Sequence, residues 1–415
     1  MAITVFLVLI FNSIGKAQED FPAKIDQAIE RGVAWLKQRQ VKDGPGKGSW
    51  GGASGTTYDK KTTGHENKIG IAAFSLYALL ACGVPSDDQA IKDGFNFIQK
   101  NIRGLNATTY ERAALLMALE ALADAVYNKQ HSPAKGDYYK QKPKAMRQFL
   151  NPEQTQLAEE QVQWLEKAQT KQGGWRYGTG FPMPGGMKED ISAAQFVLLG
   201  LKAAVRLGIG VRKETFANVL KYNLEEQEKD GPAIGEDKMG TDRGVLKETK
   251  TLRETKARGW AYSKASQTAA EKTTAGSMTA AAISSLILCK SELMKTTYLN
   301  KKLEAELDQS IYDGVAWLVQ NYTVKTNPKM PDNLRYYYYL YGLERVGVLG
   351  GFTCFGDHNW YNDGAQLLID QQTKDGYWDT KKEVAPSDVT DTDYALLFLK
   401  KATKPVIAIE TIDKK

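Results

Sequence analysis

Four acidic residues stand at or near the start of apolar segments and could supply acid chemistry: Glu111, Asp190, Asp391 and Asp393. A carboxylic acid held neutral in an apolar cavity can protonate a double bond, and carboxylates that gather at one place can raise one pKa or bind a cation. The same positions suit a helix N-terminus, whose partial positive charge favours acidic side chains. Thr108 and Glu111 have the spacing of a capping box, and Thr390 and Asp393 repeat it. Catalysis and helix capping are both open for these carboxylates.

A second group of candidates combines aromatic and charged side chains in the segment 335–345. Tyrosine occupies positions 336 to 339 and 341, and on a helix these rings point several ways. Tyrosine in a cavity stacks on sugars, cations or flat apolar ligands, although core packing explains the run equally well. Charged residues in the same helix need a buried partner or a ligand. The candidate ligand-binding residues are Arg335, Tyr336, Tyr339, Glu344 and Arg345.

Other kinds of chemistry find little support. Cys354, Asp357 and His358 cluster in one loop, but structural zinc sites usually have four ligands, so we expect no metal. We expect His358 to pack against Trp360 and Tyr361 instead. The chain has neither a Gly-x-Ser-x-Gly motif nor a phosphate loop, and we expect no cofactor.

Composition narrows the partners. The net charge is +6, from 55 basic and 49 acidic residues without a long basic run, so a nucleic-acid partner has little support. The three cysteines are widely spaced, which disfavours a disulfide framework. The partners that remain are a hydrophobic or glycan small ligand, or another protein.

The N-terminal residues are typical of a secretory signal. Residues 2–14 are almost wholly apolar but fall short of the roughly 20 residues that cross a bilayer. Gly15 and Ala17 supply the small residues of a cleavage site, which predicts a signal peptide at 1–17 and a mature chain at 18–415. We therefore expect a secreted or periplasmic protein with no transmembrane segment in the mature chain. A buried N-terminal helix is the alternative, because no Lys or Arg precedes the apolar stretch.

One phrase recurs along the chain, an aliphatic residue and a Gln at the end of a helical pattern followed by Gly-x-Trp. The three strong copies are Gly32-x-x-Trp35-Leu36-x-x-x-Gln40 with Gly48-Ser49-Trp50, Trp164-Leu165-x-x-x-Gln169 with Gly173-Gly174-Trp175, and Gly364-x-x-Leu367-Leu368-x-x-x-Gln372 with Gly376-Tyr377-Trp378. Three weaker copies keep part of it, around Gly94, around Gly314, and at Gln227 with Gly259-Trp260.

The phrase divides the chain into two alternating sets of predicted helices. Each copy ends an amphipathic helix, as Ile25, Ile29 and Leu36 illustrate. Between them lie helices that are apolar nearly all round and should be buried: 69–82, 110–125, 191–207, 275–288, 334–348 and 394–400. Six outer and six inner helices predict an all-α fold, an (α/α)6 toroid of two concentric rings, interrupted by a charged insertion at 230–258.

The recurring phrase resembles the QW repeat of the terpenoid cyclases and protein prenyltransferases, which includes the squalene-hopene cyclase type. The segment Tyr341-Gly342-Leu343-Glu344-Arg345 and the later Gly356-Asp357-His358-Asn359-Trp360-Tyr361 resemble secreted bacterial prenyltransferase or squalene-oxidase repeat proteins. The resemblance implies the toroid fold, and it gives the Gln and Trp of each copy a structural role in tying one outer helix to the start of the next. It does not fix an activity, because one fold hosts several chemistries.

Three functions follow as alternatives. The first is a cyclase acting on an isoprenoid such as squalene, although the family's Asp-x-Asp-Asp motif is absent and 388–393 lacks its adjacent pair. The second is a polysaccharide lyase or glycosidase, for which Arg335 or Arg345 could act near a carboxylate. The third is a scaffold that binds a ligand or partner in the central cavity of its ring without catalysis. A closed aromatic cavity would favour the first, an open acidic groove lined by tyrosine the second, and an interior filled by side chains the third.

Overall fold

The computed structural model describes residues 2–50, 68–103, 107–131, 145–176, 189–240, 244, 254–266, 268–381 and 387–405, with side chains from Asp20 onward. Secondary structure in these residues is helical, without a β-strand; the pairings Gln227–Trp260, Ala233–Lys256 and Phe355–His358 are isolated bridges. The predicted all-α class is confirmed.

Twelve of the helices in the described residues have at least 12 residues, and they alternate between two sets. The odd-numbered helices are α1 (Ala2–Arg39), α3 (Gln89–Asn101), α5 (Pro152–Ala168), α7 (Lys213–Glu226), α9 (Lys301–Gln320) and α11 (Trp360–Gln371). The even-numbered helices are α2 (Lys68–Ala81), α4 (Thr109–His131), α6 (Ile191–Leu207), α8 (Gly276–Leu293), α10 (Tyr336–Gly350) and α12 (Ser387–Lys400). Short turns of helix occupy Glu236–Met239 and Ala269–Lys272, and 3₁₀ turns occupy Met146–Phe149 and Pro331–Asn333.

The even-numbered helices form the core. Nearly every residue of α8 and α10 is buried, as predicted for helices that are apolar on all sides. In chain order each even-numbered helix contacts the next, from α2 to α12, and α12 also contacts α2. The odd-numbered helices lie against this set; α3 packs on α2, α5 on α4, α9 on α8, and both α1 and α11 on α12.

The glutamine and tryptophan of the recurring phrase tie the odd-numbered helices together. Trp50, Trp175, Trp260 and Trp378 are buried, and each indole N–H donates to a carbonyl near the end of the preceding odd-numbered helix at 2.7–2.8 Å. Each glutamine amide donates to a carbonyl in the following odd-numbered helix: Gln40 to Ala90, Gln169 to Thr215, Gln227 to Ser310, and Gln372 to Ala28 of α1. The copy with the long insertion makes the same bonds as the strong ones.

The ends of the charged insertion are held to each other and to α9. Lys256 bonds to Asp230 at 2.7 Å, and Arg258 bonds to Asp313 of α9 at 2.7 Å. The interior of the insertion, 241–253 apart from Gly244, lies outside the described residues.

The structure describes the backbone of the predicted signal peptide but not its side chains. The backbone is helical from Ala2 through Arg39, while the side chains of the predicted signal peptide lie outside the described residues. Among the described residues no helix combines the length and apolar character needed to span a bilayer.

Candidate functional site

Aromatic side chains from five even-numbered helices meet between those helices. The cluster consists of Phe74, Tyr110, Phe196, Tyr338, Tyr341 and Tyr394. Neighbouring ring centroids lie 5.1–6.1 Å apart, the ordinary spacing of packed aromatic pairs. These rings pack against one another between the even-numbered helices.

Arg345 of α10 lies within this aromatic cluster and is fully buried. Its guanidinium carbon is 4.0 Å from the ring centroid of Tyr341 and 5.6 Å from that of Tyr338, distances at which the ring faces stabilise a cation. Its Nη2 donates to Gln195 Oε1 at 2.9 Å, and the Tyr338 hydroxyl donates to the same oxygen at 2.9 Å. Nε and Nη1 find no hydrogen-bond partner among the described residues. The buried charge of Arg345 is thus balanced by rings and one amide oxygen.

Asp393 and Asp391 both lie inside α12, which begins at Ser387. The capping-box role predicted for Thr390 and Asp393 is wrong, because neither stands at the helix start. Both carboxyl groups are buried and bond outside their helix: Asp393 accepts from Ser75 Oγ of α2 at 2.8 Å, and Asp391 accepts from the backbone and hydroxyl of Thr380 at 2.8 and 3.0 Å. Burial raises the pKa of Asp393 well above its usual range, while the hydrogen bond from Ser75 opposes that shift.

Glu111 and Asp190 serve the ends of their own helices. The Thr108 backbone N–H donates to Glu111 Oε2 at 2.5 Å, and the Ala193 N–H donates to Asp190 Oδ1 at 2.7 Å. The Tyr110 hydroxyl lies 3.3 Å from the same oxygen of Asp190. Burial raises the pKa of both carboxyls, that of Asp190 to about 7. Helix capping therefore accounts for these two candidates.

The four acidic candidates do not form one cluster. Each accepts from a different donor, and burial rather than a neighbouring carboxylate is the leading cause of the raised pKa of Glu111, Asp190 and Asp393. No group of three or more His, Cys, Asp or Glu side chains suited to a metal ion occurs in the described part of the chain.

The candidates at the start of α10 face away from the aromatic cluster. Tyr336 and Tyr339 are buried, and their hydroxyls donate to the carbonyls of Val324 and Thr323 at 2.7 and 2.9 Å. Arg335 precedes the helix, has a φ of 61°, and is exposed. The expectation that Arg335 lies within the helix is wrong. Of the tyrosines in this run, Tyr338 and Tyr341 are the ones that reach the cluster.

The other candidates of this region have ordinary partners. Glu344 is fully buried, burial raises its pKa to about 7, and it accepts two hydrogen bonds from Thr403. His358 stacks on Tyr322 with ring centroids 4.3 Å apart, so the expected packing on Trp360 and Tyr361 is wrong.

Sequence reasoning missed a charged network at the C-terminal ends of the even-numbered helices. Glu120 and Asp124 of α4 bind the ammonium of Lys404, while Glu292 at the end of α8 binds Lys202 and Lys213. The acidic side chains in this network are less than a tenth exposed. The sequence does contain a signal for this network: Glu120 and Asp124 stand four positions apart in an otherwise largely apolar predicted helix. A buried charge in such a helix needs a partner, which indicates a cation nearby.

Comparison with models of known protein families finds no match, and neither does comparison with curated protein sequences.

Proposed function

We propose that the chain is an (α/α)6 toroid of the terpenoid-cyclase and prenyltransferase type. Two observations support this arrangement. The even-numbered helices contact one another in a cycle that returns from α12 to α2. The glutamine bonds of the odd-numbered helices return in the same way, from Gln372 of the last phrase to Ala28 of the first helix.

We propose further that the toroid is a non-catalytic binding scaffold rather than a cyclase. The observation that carries this proposal is the buried guanidinium of Arg345, which lies among the packed rings of the aromatic cluster. Cyclisation of an isoprenoid proceeds through carbocations, and a guanidinium is charged at every accessible pH, so Arg345 would repel them. The rings that would stabilise a carbocation already face this cation.

A cyclase is the second candidate, and Asp393 is the observation that favours it. A buried carboxyl group close to aromatic rings, with a pKa that burial raises, is the kind of group that protonates a double bond. Phe74, which packs against Tyr394, is one residue away from Ser75, the donor to Asp393. Asp393 nevertheless accepts a hydrogen bond from Ser75 Oγ at 2.8 Å.

Product analysis separates these two functions. Purified wild-type protein and the D393N variant are incubated with squalene in detergent, and the extracts are analysed by gas chromatography and mass spectrometry. The scaffold proposal expects no cyclised product from either protein and no bound isoprenoid in an extract of the untreated protein. A cyclised product that the wild type forms and D393N does not form would overturn it in favour of the cyclase.

Export is part of the proposal and has its own test. The apolar residues 2–14 and the small residues at 15 and 17 support cleavage after Ala17. Intact-mass measurement of protein expressed in a bacterial host with its native N-terminus should give a chain that starts at Gln18. A full-length mass in the cytoplasmic fraction would contradict export.

A further inference from the structure

The residues that follow α12 cross the C-terminal ends of the even-numbered helices. Residues 402–404 bond to four of these helices in turn. The Tyr77 hydroxyl of α2 donates to the carbonyl of Ala402 at 3.4 Å, Glu344 of α10 accepts from Thr403, and Glu120 of α4 binds Lys404. Arg206 Nη2 of α6 donates to the carbonyl of Lys404 at 3.0 Å. The segment has no regular secondary structure, so side chains of the helices supply most of these contacts.

The ammonium of Lys404 is bound by two carboxylates. Its Nζ lies 2.8 Å from Glu120 Oε1 and also bonds to Asp124 Oδ2, and the Lys404 side chain is only 16% exposed. Burial alone would lower the pKa of Lys404, but the two carboxylates outweigh that effect and raise it. Two carboxylates for one lysine make a site that selects a primary ammonium group.

Thr403 is bound through both its backbone and its side chain. Its N–H donates to Glu344 Oε1 at 3.1 Å and its hydroxyl donates to Glu344 Oε2 at 2.6 Å. Arg206 donates to the carbonyl of Lys404. Side chains of the helices therefore bind the N–H and hydroxyl of Thr403 and the ammonium and carbonyl of Lys404. Those are the groups of an extended Thr-Lys dipeptide, and any chain that carries this dipeptide can present them.

An open groove lies beside residues 402–404. It is lined by the end of α2 and the turn after it, by α4 from Ala121 to Lys129, and by residues 400–404 themselves. Its acidic lining residues, Asp87 and Asp124, are paired with Lys129 and Lys404 of the same lining. Residues 402–404 therefore lie at the edge of a groove that is open to solvent, which gives a second peptide access to the contacts that they occupy.

We propose that Glu120, Asp124, Glu344 and Arg206 form a recognition site for a lysine-containing peptide segment of a partner protein, occupied in cis by residues 402–404. This deepens the proposed scaffold function and rests on it, since it names the chemistry of the partner. The squalene assay tests whether the protein catalyses cyclisation, and the peptide titration tests whether these four residues bind a lysine-containing peptide. Failure of the scaffold proposal can therefore be distinguished from failure of the peptide-site proposal.

The test uses full-length proteins and a fluorescein-labelled peptide with the sequence of residues 400–407. In the wild type the cis segment competes at an effective concentration in the millimolar range. The K404M variant removes that competitor's ammonium, so we expect it to bind the peptide at least about tenfold more tightly than the wild type, as measured by fluorescence anisotropy. The K221M variant is the matched control and should behave as wild type, because Lys221 is exposed on α7, a helix that supplies none of the four residues of this site.

Two further comparisons identify the site. A peptide carrying Lys404→Met should bind the K404M protein at least about tenfold more weakly than the native peptide, since it lacks the charge-assisted bonds. Adding E120Q and D124N to the K404M protein should remove the difference between the two peptides. Equal binding of both peptides by the K404M protein, or no binding of either, would overturn the proposal.

A measurement on the wild type covers the case in which K404M does not fold. Amide hydrogen exchange is followed with and without millimolar native peptide. Displacement of the cis segment should free the Thr403 N–H from Glu344 and speed its exchange at least severalfold, whereas the peptide carrying Lys404→Met should not. Unchanged exchange at Thr403 with the native peptide would show that the segment is a fixed part of the fold.

Discussion

The even-numbered helices use carboxyl groups differently at their N-terminal ends and in their ion pairs with distant segments. At the N-terminal ends, Glu111 and Asp190 accept from backbone N–H groups three residues away. Glu120 in the middle of α4 and Glu292 at the C-terminal end of α8 bind cations from segments distant in the chain, Lys404 and Lys202 among them. Glu111 and Asp190 thus accept from N–H groups at the starts of their own helices, although Asp190 also lies 3.3 Å from the Tyr110 hydroxyl, whereas Glu120 and Glu292 join distant segments through ion pairs.

The difference between capping carboxyl groups and carboxylates that bind distant lysines also affects where a ligand could bind. A carboxyl group that caps its own helix is satisfied without a ligand, so Glu111 and Asp190 leave little free capacity for one. Carboxylates that bind a lysine of a segment without regular secondary structure can exchange that lysine for another cation. The C-terminal end, where residues 402–404 lie, is therefore the end at which we place the partner.

The largest effect should follow the removal of a charge from the C-terminal network. The E292Q variant leaves Lys202, whose side chain is 12% exposed, without its counter-charge. Breaking a buried ion pair from one side typically costs about 3–5 kcal/mol, and we expect a loss of that size in the free energy of unfolding from urea denaturation. The exposed pair of Asp87 and Lys129 is the control, and D87N should leave the denaturation midpoint unchanged. A loss below about 1 kcal/mol for E292Q would place its pair in the class of surface ion pairs.

A smaller effect, dependent on pH, should come from the N-terminal end. Burial raises the pKa of Asp190 from 3.8 to about 7, so between these values the folded state holds a proton that the unfolded state has lost. The stability that this proton brings is present below pH 4 and is lost as the pH rises through 7. At about 1.4 kcal/mol per pKa unit the full shift corresponds to at most about 4 kcal/mol.

The D190N variant isolates this contribution, because asparagine caps a helix as well as aspartate does but does not titrate. We expect the free energy of unfolding of the wild type to fall relative to that of D190N between pH 4 and 7, and the difference to stay constant above pH 8. Parallel pH profiles for the two proteins would show that Asp190 is solvated in the native state.

The sequence predicts local features of this molecule well. Apolar periodicity locates the even-numbered helices because burial on all sides leaves a continuous signal, and α6 has the predicted bounds, Ile191–Leu207. Glu111 and Asp190 are identified as capping candidates because a capping carboxylate and the N–H that donates to it lie within one turn. The toroid and the signal peptide remain predictions.

Features that depend on distant partners could not be read in this way. The α12 helix starts at Ser387, seven residues before the predicted start at 394, because Asp391, Thr392 and Asp393 are polar residues that are nevertheless buried. Their partners, Thr380, Trp378 and Ser75, lie in other segments. Lys404 was overlooked for the same reason, since its carboxylates are 280 or more residues away in the chain.

The smallest effect on the free energy of unfolding should come from the cap on α4. It tests whether a capping carboxyl group and an ion-paired carboxylate differ in their dependence on charge. The E111A variant loses the acceptor of the Thr108 N–H, and the loss of a helix cap typically costs about 1 kcal/mol in the free energy of unfolding. The E111Q variant keeps an acceptor oxygen and should stay within about 0.5 kcal/mol of wild type by urea denaturation, since glutamine also serves in a capping box. Because the hydrogen bond rather than the charge matters at this end, E111Q should cost far less than E292Q. If the two glutamine variants cost the same, Glu111 would belong to a long-range charge network, and the difference between the two ends would disappear.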